Sequence, residues 1–121
     1  MGFSILAINP GSTSTKVALY EDENLIFFEQ AEHSDETLAG FSDILDQLDF
    51  RLDVIRSILD MHQTNLKMLS AVVGRGGLLP PVNAGGYLVD GRLKNVILSG
   101  NLSPHASNLG ALLADRIASP L

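Results

Sequence analysis

A run of small, hydroxyl-bearing and basic residues near the start of the chain is the first candidate for chemistry. It occupies positions 9–16 and reads NPGSTSTK. Small residues let backbone N–H groups approach an anion, the hydroxyls add donors, and Lys16 adds a point charge suited to phosphate. Asn9 supplies a neutral oxygen that can face a magnesium ion directly or through water. The run predicts a phosphate-binding turn, and from the residues alone a polar hairpin loop without a ligand is an equal alternative.

Two short apolar segments flank this run and must position it. Ile5–Ile8 and Val17–Tyr20 both have the pattern of strands. Between them Pro10 fixes φ and Gly11 permits a positive φ, which is strong turn chemistry. The segments therefore predict a hairpin with a longer loop. The loop is neither a Walker A element nor a GxGxxG motif, since both patterns are absent.

A second candidate follows another apolar segment, Leu69–Gly74. The residues Gly-Arg-Gly-Gly occupy positions 74–77. Ligands bind at strand ends in open α/β sheets, and glycines let a ligand approach the backbone. Arg75 can hold a carboxylate or a phosphate through two hydrogen bonds. The alternative is a glycine-rich turn with a surface arginine, and the spacing favours neither.

His105 is the third candidate, because it lies just before the last predicted helix, Ala106–Ala118. A histidine near a helix N-terminus resists protonation and can donate to developing negative charge. The alternative is a histidine that caps the helix or packs against it. His33 and His62 lie in no supporting motif, and we interpret them as surface or packing residues.

The remaining pattern predicts an α/β domain. Asn24–Ala31 is a third strand candidate, which makes an antiparallel meander with the first two. Residues 34–66 have helical spacing, with a cap at Ser34 or Asp35 and a break near Asp49. Further predictions are a short strand or an extended segment at Tyr87–Asp90 and a short helix at Gly91–Ser99. The order βββαβ fits an α/β layer. Four acidic residues in the helical region are interpreted as a solvated surface rather than a metal site: Asp43, Asp46, Asp49 and Asp53.

The composition argues against several kinds of binding partner and binding site. The chain has 121 residues, a formal net charge of −6 and no cysteine. The acidic balance argues against nucleic-acid binding and against adsorption on an anionic membrane. Without cysteine there is no disulfide framework and no thiolate zinc site. The N-terminus lacks the features of a signal peptide, so we expect a cytoplasmic protein.

The motifs together resemble one family. NPGSTSTK resembles the first phosphate-binding loop of the acyl kinases, in the superfamily of acetate kinase, sugar kinases, Hsp70 and actin. Pro10 and the segment VVGRGG at 72–77 are closest to the butyrate kinase branch, and PHASNLGA at 104–111 resembles that family's His/Asn segment. Acetate kinases carry an arginine that aligns with Val72 here, a departure that also favours the butyrate branch. The resemblance implies an RNase-H-like (actin-like ATPase) lobe with a mixed sheet, begun by an antiparallel three-strand meander with flanking helices. It also implies that residues 1–121 are the N-terminal lobe of a longer, two-lobe enzyme.

The implied reaction is phosphorylation of a short-chain carboxylate, butyrate or a branched-chain acid, by ATP with Mg²⁺. The alternatives are an acetate or propionate kinase, or a non-catalytic actin-like module for nucleotide binding or assembly. The implied partners are the missing C-terminal lobe and a second copy of the protein in a homo-oligomer. By resemblance, the residues that face the nucleotide phosphates are Asn9, Gly11, Ser12, Ser14 and Lys16, with Asn9 also near the metal. Those implied at the carboxylate are Arg75, Gly76 and Gly77, with Arg75 and His105 as catalytic residues.

Overall fold

The computed structural model describes residues 2–75, 88–98 and 106–121. Within them, the strands are β1 (Ser4–Pro10), β2 (Ser14–Glu21), β3 (Asn24–Glu32) and β4 (Ala71–Gly74). The α-helices are α1 (Asp35–Ala39), α2 (Leu48–Met61), α3 (Gly91–Leu98) and α4 (Leu109–Ala118). Short 3₁₀ turns occupy Ile44–Gln47, Leu66–Met68 and Ala106–Asn108.

The strands form one mixed sheet in the order β3-β2-β1-β4. β1 pairs antiparallel with β2, and β2 pairs antiparallel with β3. β4 comes after the helical region and pairs parallel with β1, as a strand reached by a helical crossover does. The predicted α/β class, with a mixed sheet begun by a three-strand meander, is confirmed, and the arrangement is compatible with an actin-like ATPase lobe.

One face of the sheet carries the hydrophobic core. Because side chains alternate along a strand, every second residue of β1 and β2 lies on this face, where α2 and α4 cover it. The apolar stripes of the two helices complete the same cluster. Its buried members are Leu6, Ile8, Val17, Phe27, Leu52, Ile55, Ile58, Leu59, Leu109, Leu113 and Ile117. Alternation places the candidate residues of β1 and β2, Asn9 and Lys16, on the opposite face.

The helical region differs from its prediction at one point. Ser34 caps α1 as expected, and its hydroxyl accepts a hydrogen bond from the Thr37 N–H at 3.2 Å. The break, however, lies after Ala39, at Gly40, and not near Asp49. Asp49 instead occupies the first turn of α2, where a negative charge stabilises the helix dipole. All four acidic residues of the predicted solvated surface are exposed.

The C-terminal elements follow their predictions only in part. Of the two alternatives for Tyr87–Asp90, the strand is wrong for Leu88–Asp90, which have no regular secondary structure. The Asp90 carboxylate accepts a hydrogen bond from the Leu93 N–H at 2.9 Å, at the start of α3. Tyr87 and Ser99 lie outside the described residues. The last predicted helix begins as a 3₁₀ turn at Ala106 and becomes α-helical only at Leu109. Among the described helices, none has the length and hydropathy that crossing a membrane requires.

Candidate functional site

The turn between β1 and β2 is closed by its own backbone. The Gly11 N–H donates to the Ser14 carbonyl at 2.8 Å. Gly11 does not adopt the left-handed conformation, so the turn does not use the positive φ that glycine permits. A Cβ at this position would lie 3.1 Å from Ser14 Oγ, which is a tight contact. Glycine therefore relieves crowding inside the turn.

Residues outside the turn also bind its carbonyls. Arg51 donates from Nη1 to the Ser14 carbonyl at 2.8 Å and from Nη2 to the Ser12 carbonyl at 3.3 Å. The His33 N–H donates to the Thr13 carbonyl at 2.7 Å. In the described part of the chain, the N–H groups of Ser12 and Thr13 meet no acceptor. The turn thus keeps backbone donors available for an anion.

Arg51 is fully buried on α2 and was not among the predicted site residues. Its guanidinium also donates to Gln47 Oε1 at 3.0 Å and to Thr15 Oγ1 at 3.3 Å. No carboxylate of the described residues lies within 4 Å of it. Burial lowers its pKa, but a guanidinium remains protonated in proteins. The available signal was an arginine within the apolar stripe of a predicted helix, beside Leu52 and Ile55.

His33 supports the same turn and is also buried. A hydrogen bond of 2.8 Å joins its Nε2 to Thr15 Oγ1, and its ring meets Phe50 edge-on at 5.0 Å. Burial lowers the pKa of His33, the positive charge of Arg51 lowers it further, and Glu32 opposes the shift. The interpretation of His33 as a packing residue is confirmed, with a polar contact in addition.

Three predicted site residues meet on the opposite face of the sheet. Asn9 and Lys16 are directly paired across β1 and β2. The Arg75 N–H donates to the Ile8 carbonyl at 2.9 Å, which continues the β4 ladder and brings Arg75 beside Asn9. Two strand spacings separate the backbones of Lys16 and Arg75, about 10 Å. All three line a cavity of about 190 Å³, whose other lining residues are Ala7, Ile8, Val17, Ala18, Phe28 and Val73.

The other predicted site residues fall elsewhere. Ser12 lies exposed at the tip of the turn, and Ser14 is buried. Gly76, Gly77 and His105 lie outside the described residues. No group of three or more metal-binding side chains occurs among the residues that are described. The roles of Asn9 toward a metal and of His105 in catalysis therefore stay predictions.

Gly74 has a different role from the one predicted. It was expected to let a ligand approach the backbone, but the backbone of α4 occupies that space. A Cβ at Gly74 would overlap the Gly110 carbonyl, and a Cβ at Gly110 would overlap the Arg75 carbonyl. The two glycines let β4 and α4 pack backbone against backbone. This contact fixes the position of the end of β4, and therefore the position of Arg75, the next residue in the chain.

Comparison with known proteins gives one consistent result. No family model matches the chain. A protein named "Probable butyrate kinase" from Listeria monocytogenes serotype 4b (strain CLIP80459) is 46% identical over 121 residues, which is all of this chain and 34% of that protein. Proteins of the same name from Clostridium botulinum (strain Eklund 17B / Type B) and Coprothermobacter proteolyticus are each 44% identical, over 100% and 98% of this chain and 34% and 33% of their own lengths. The chain thus spans about a third of the length of these relatives, and over that span its predicted resemblance to the butyrate kinase family is confirmed.

Proposed function

We propose that this chain forms one side of the active site of a kinase that phosphorylates a short-chain carboxylate. The observation that carries the proposal is the cavity beside Asn9. Lys16 and Arg75 both line it, and neither has a carboxylate within 4 Å in the described part of the chain. Two unpaired cations in a chain of net charge −6 favour anionic ligands. The family resemblance supports ATP and a carboxylate as those ligands.

We assign the terminal phosphates of ATP to the β1–β2 turn and Lys16. The N–H groups of Ser12 and Thr13 and the nearby hydroxyls supply donors, and Lys16 supplies charge. Asn9 gives Mg²⁺ one neutral oxygen, and the cavity offers it no carboxylate. Because Mg²⁺ holds several waters and binds through substrate phosphates, this donor set fits a nucleotide-bound ion.

We assign the carboxylate to Arg75, with the backbone of Gly76 and Gly77 and the side chain of His105 as proposed neighbours. The apolar floor of the cavity suits a short hydrocarbon tail; it includes Ala7, Ala18, Phe28 and Val73. A carboxylate is already ionised, so the transfer needs no strong base. Catalysis then depends on aligning the acceptor oxygen with the γ-phosphorus and on neutralising charge during the transfer.

We further propose that residues 1–121 form one lobe and that a second lobe supplies the adenosine pocket and the remaining catalytic groups. The relatives are about three times as long as this chain. The proposed activity is therefore that of a complete protein containing both lobes.

The test is acyl phosphate formation by the complete protein, trapped as the hydroxamate, with acetate, propionate, butyrate, isobutyrate and isovalerate as acceptors. We expect transfer to butyrate or a branched acid. The double variant Asn9→Ala/Lys16→Ala should lose at least about 100-fold in kcat/KM, which corresponds to about 2.7 kcal/mol. Lys67→Ala, an exposed lysine in the Leu66–Met68 turn, is the matched control. Normal transfer by the double variant contradicts the proposal, and ATP binding without transfer to any acceptor favours a non-catalytic module.

A further inference from the structure

We infer that Arg51 is a positioning residue for nucleotide binding, and that the phosphates of the nucleotide supply the counter-charge that its buried guanidinium lacks. The inference rests on the proposed function, because it takes the β1–β2 turn as the phosphate site. Arg51 itself lies behind the turn, on the helix-covered side, and lines no part of the cavity.

The first support is the direction of the turn's peptide groups. In a planar trans peptide, the N–H of one residue points opposite to the carbonyl of the residue before it. Arg51 holds the Ser12 carbonyl, so the Thr13 N–H is directed away from α2. The His33 backbone N–H, at the end of β3, binds the Thr13 carbonyl and extends the β2–β3 pairing, so the Ser14 N–H is directed away from β3. The Arg51 contact behind the turn thus orients the Thr13 N–H toward the outer side of the turn.

The second support is electrostatic. A buried charge is unfavourable unless an opposite charge or several hydrogen bonds compensate it. Arg51 has 0% exposure and four hydrogen bonds, all to neutral acceptors: Gln47 Oε1, Thr15 Oγ1 and the Ser12 and Ser14 carbonyls. Within the described residues it lacks an anionic partner. A polyphosphate on the outer side of the turn supplies this negative charge. The peptide groups of the turn lie between the phosphates and Arg51, which binds two of their carbonyls.

These two contributions predict an effect specific to the nucleotide. Loss of the charge weakens ATP binding, whereas Arg75 and the apolar floor, which we assign to the carboxylate, are untouched. A residue that only stabilised the fold would lower stability and leave the relative affinities for the two substrates unchanged.

The experiment compares Arg51→Gln, Arg51→Lys and the control Arg56→Gln in the complete protein. Arg56 is an exposed arginine on the same helix, and no ion pair involving it occurs in the part of the chain described. The measurements are KM for ATP, KM for the carboxylate, and the shift in Tm that saturating MgATP produces. For R51Q we expect KM for ATP to rise at least about tenfold, KM for the carboxylate to stay within about twofold, and the MgATP-induced Tm shift to fall below half. R51K keeps the charge but lacks the planar fork whose two nitrogens bind the Ser12 and Ser14 carbonyls, so we expect about a threefold rise confined to ATP.

The inference is overturned if R51Q lowers Tm in the absence of ligand but keeps the wild-type KM for ATP and the wild-type MgATP-induced shift. Equal rises in both KM values would also overturn it. If R51Q does not fold, the KM values of R51K provide the test. A rise in KM for ATP alone supports the inference, whereas unchanged KM values, or equal rises for both substrates, contradict it. Failure of the proposed function is distinguishable, because the wild-type protein would then form no acyl phosphate, while the MgATP-induced Tm shift still tests Arg51.

Discussion

The β1–β2 turn and the end of β4 meet at one cavity, but the molecule fixes them by different means. Hydrogen bonds hold the turn: the Arg51 side chain binds two of its carbonyls from the helix-covered side, and the His33 backbone N–H binds a third. Close backbone packing holds β4, where Gly74 and Gly110 leave no room for a Cβ. A hydrogen-bonded turn can lose one donor and still fold, whereas a backbone contact cannot accept an added atom. Changes to the contacts that hold the turn should therefore alter ligand binding, and changes to the glycine contact that holds β4 should alter folding.

The largest expected effect is that of Gly74→Ala. Its methyl group would overlap the Gly110 carbonyl, which is backbone and cannot turn aside. Separating β4 from α4 also disturbs the core around Leu109 and Leu113. We expect a loss of about 3 kcal/mol or more in the free energy of unfolding, measured by urea denaturation.

Gly91→Ala is the matched control, because a Cβ there meets nothing within 4 Å and Gly91 begins α3. We expect this variant to be neutral or more stable by about 0.5 kcal/mol. Equal stability of the Gly74→Ala and Gly91→Ala proteins would show that β4 and α4 do not pack as closely as described.

The next largest effects are those of replacing Lys16 and Arg75, and each should fall on a different substrate. Lys16→Met should reduce kcat/KM for ATP about 100-fold, or about 2.7 kcal/mol, because it removes the charge that we assign to the phosphates. Arg75→Met should raise KM for the carboxylate about 30-fold and leave KM for ATP within about threefold, since we assign Arg75 to the acceptor. Initial rates with each substrate varied in turn make the test. Identical effects of the two variants on both substrates would mean that the cavity binds one anion only.

The strands and the cavity residues were predictable because their signals are local. Apolar runs located β1, β2 and β4, and the turn chemistry of positions 9–16 marked Asn9 and Lys16 before any pairing was known. Their proximity to Arg75 follows once β4 pairs parallel with β1, as a strand that follows helices does in an α/β layer. The break at Gly40 also had a local signal that was missed, since glycine commonly follows the end of a helix.

The supporting residues were not predictable in the same way. Arg51 binds carbonyls 37 and 39 positions away, and no sequence pattern encodes such a contact. On the sequence, its place in the apolar stripe of a predicted helix indicated burial but did not identify its partners. Gly74 and Gly110 likewise lie far apart in the chain, and their contact exists only after α4 packs against β4. The residues that we propose to face the ligand were therefore predictable from the sequence, whereas those that support them could be identified only from the fold.

A smaller effect is the contribution of His33, which supports the turn, to the pH dependence of stability. The folded state holds the pKa of His33 below its ordinary value, so the unfolded chain binds this proton more readily. The stabilisation is complete above the ordinary pKa of about 6.5, and it is lost as the pH falls through the lower, folded-state pKa. His33→Gln, which can still bond Thr15, should remove this component, at most about 1.4 kcal/mol per pH unit for one group. Urea midpoints from pH 7.5 to 5 should fall less steeply for the variant; parallel curves for the two proteins would contradict the assignment.

The smallest expected effect is that of a contact outside the cavity, between His62 and Phe27. His62 stacks on Phe27 at the end of α2, with ring centroids 3.9 Å apart and planes within 1° of parallel. Its Nε2 is also 2.9 Å from Glu29 Oε1. This contact stabilises the edge of the sheet without touching the turn or the end of β4. We expect His62→Ala to lower the free energy of unfolding by about 0.5–1 kcal/mol and to leave both KM values unchanged, because neither strand end moves. A change in either KM as large as that expected for Arg51→Gln would mean that substrate binding responds to any loosening of the sheet. The effects predicted for the β1–β2 turn and for the end of β4 would then not be specific to those two regions.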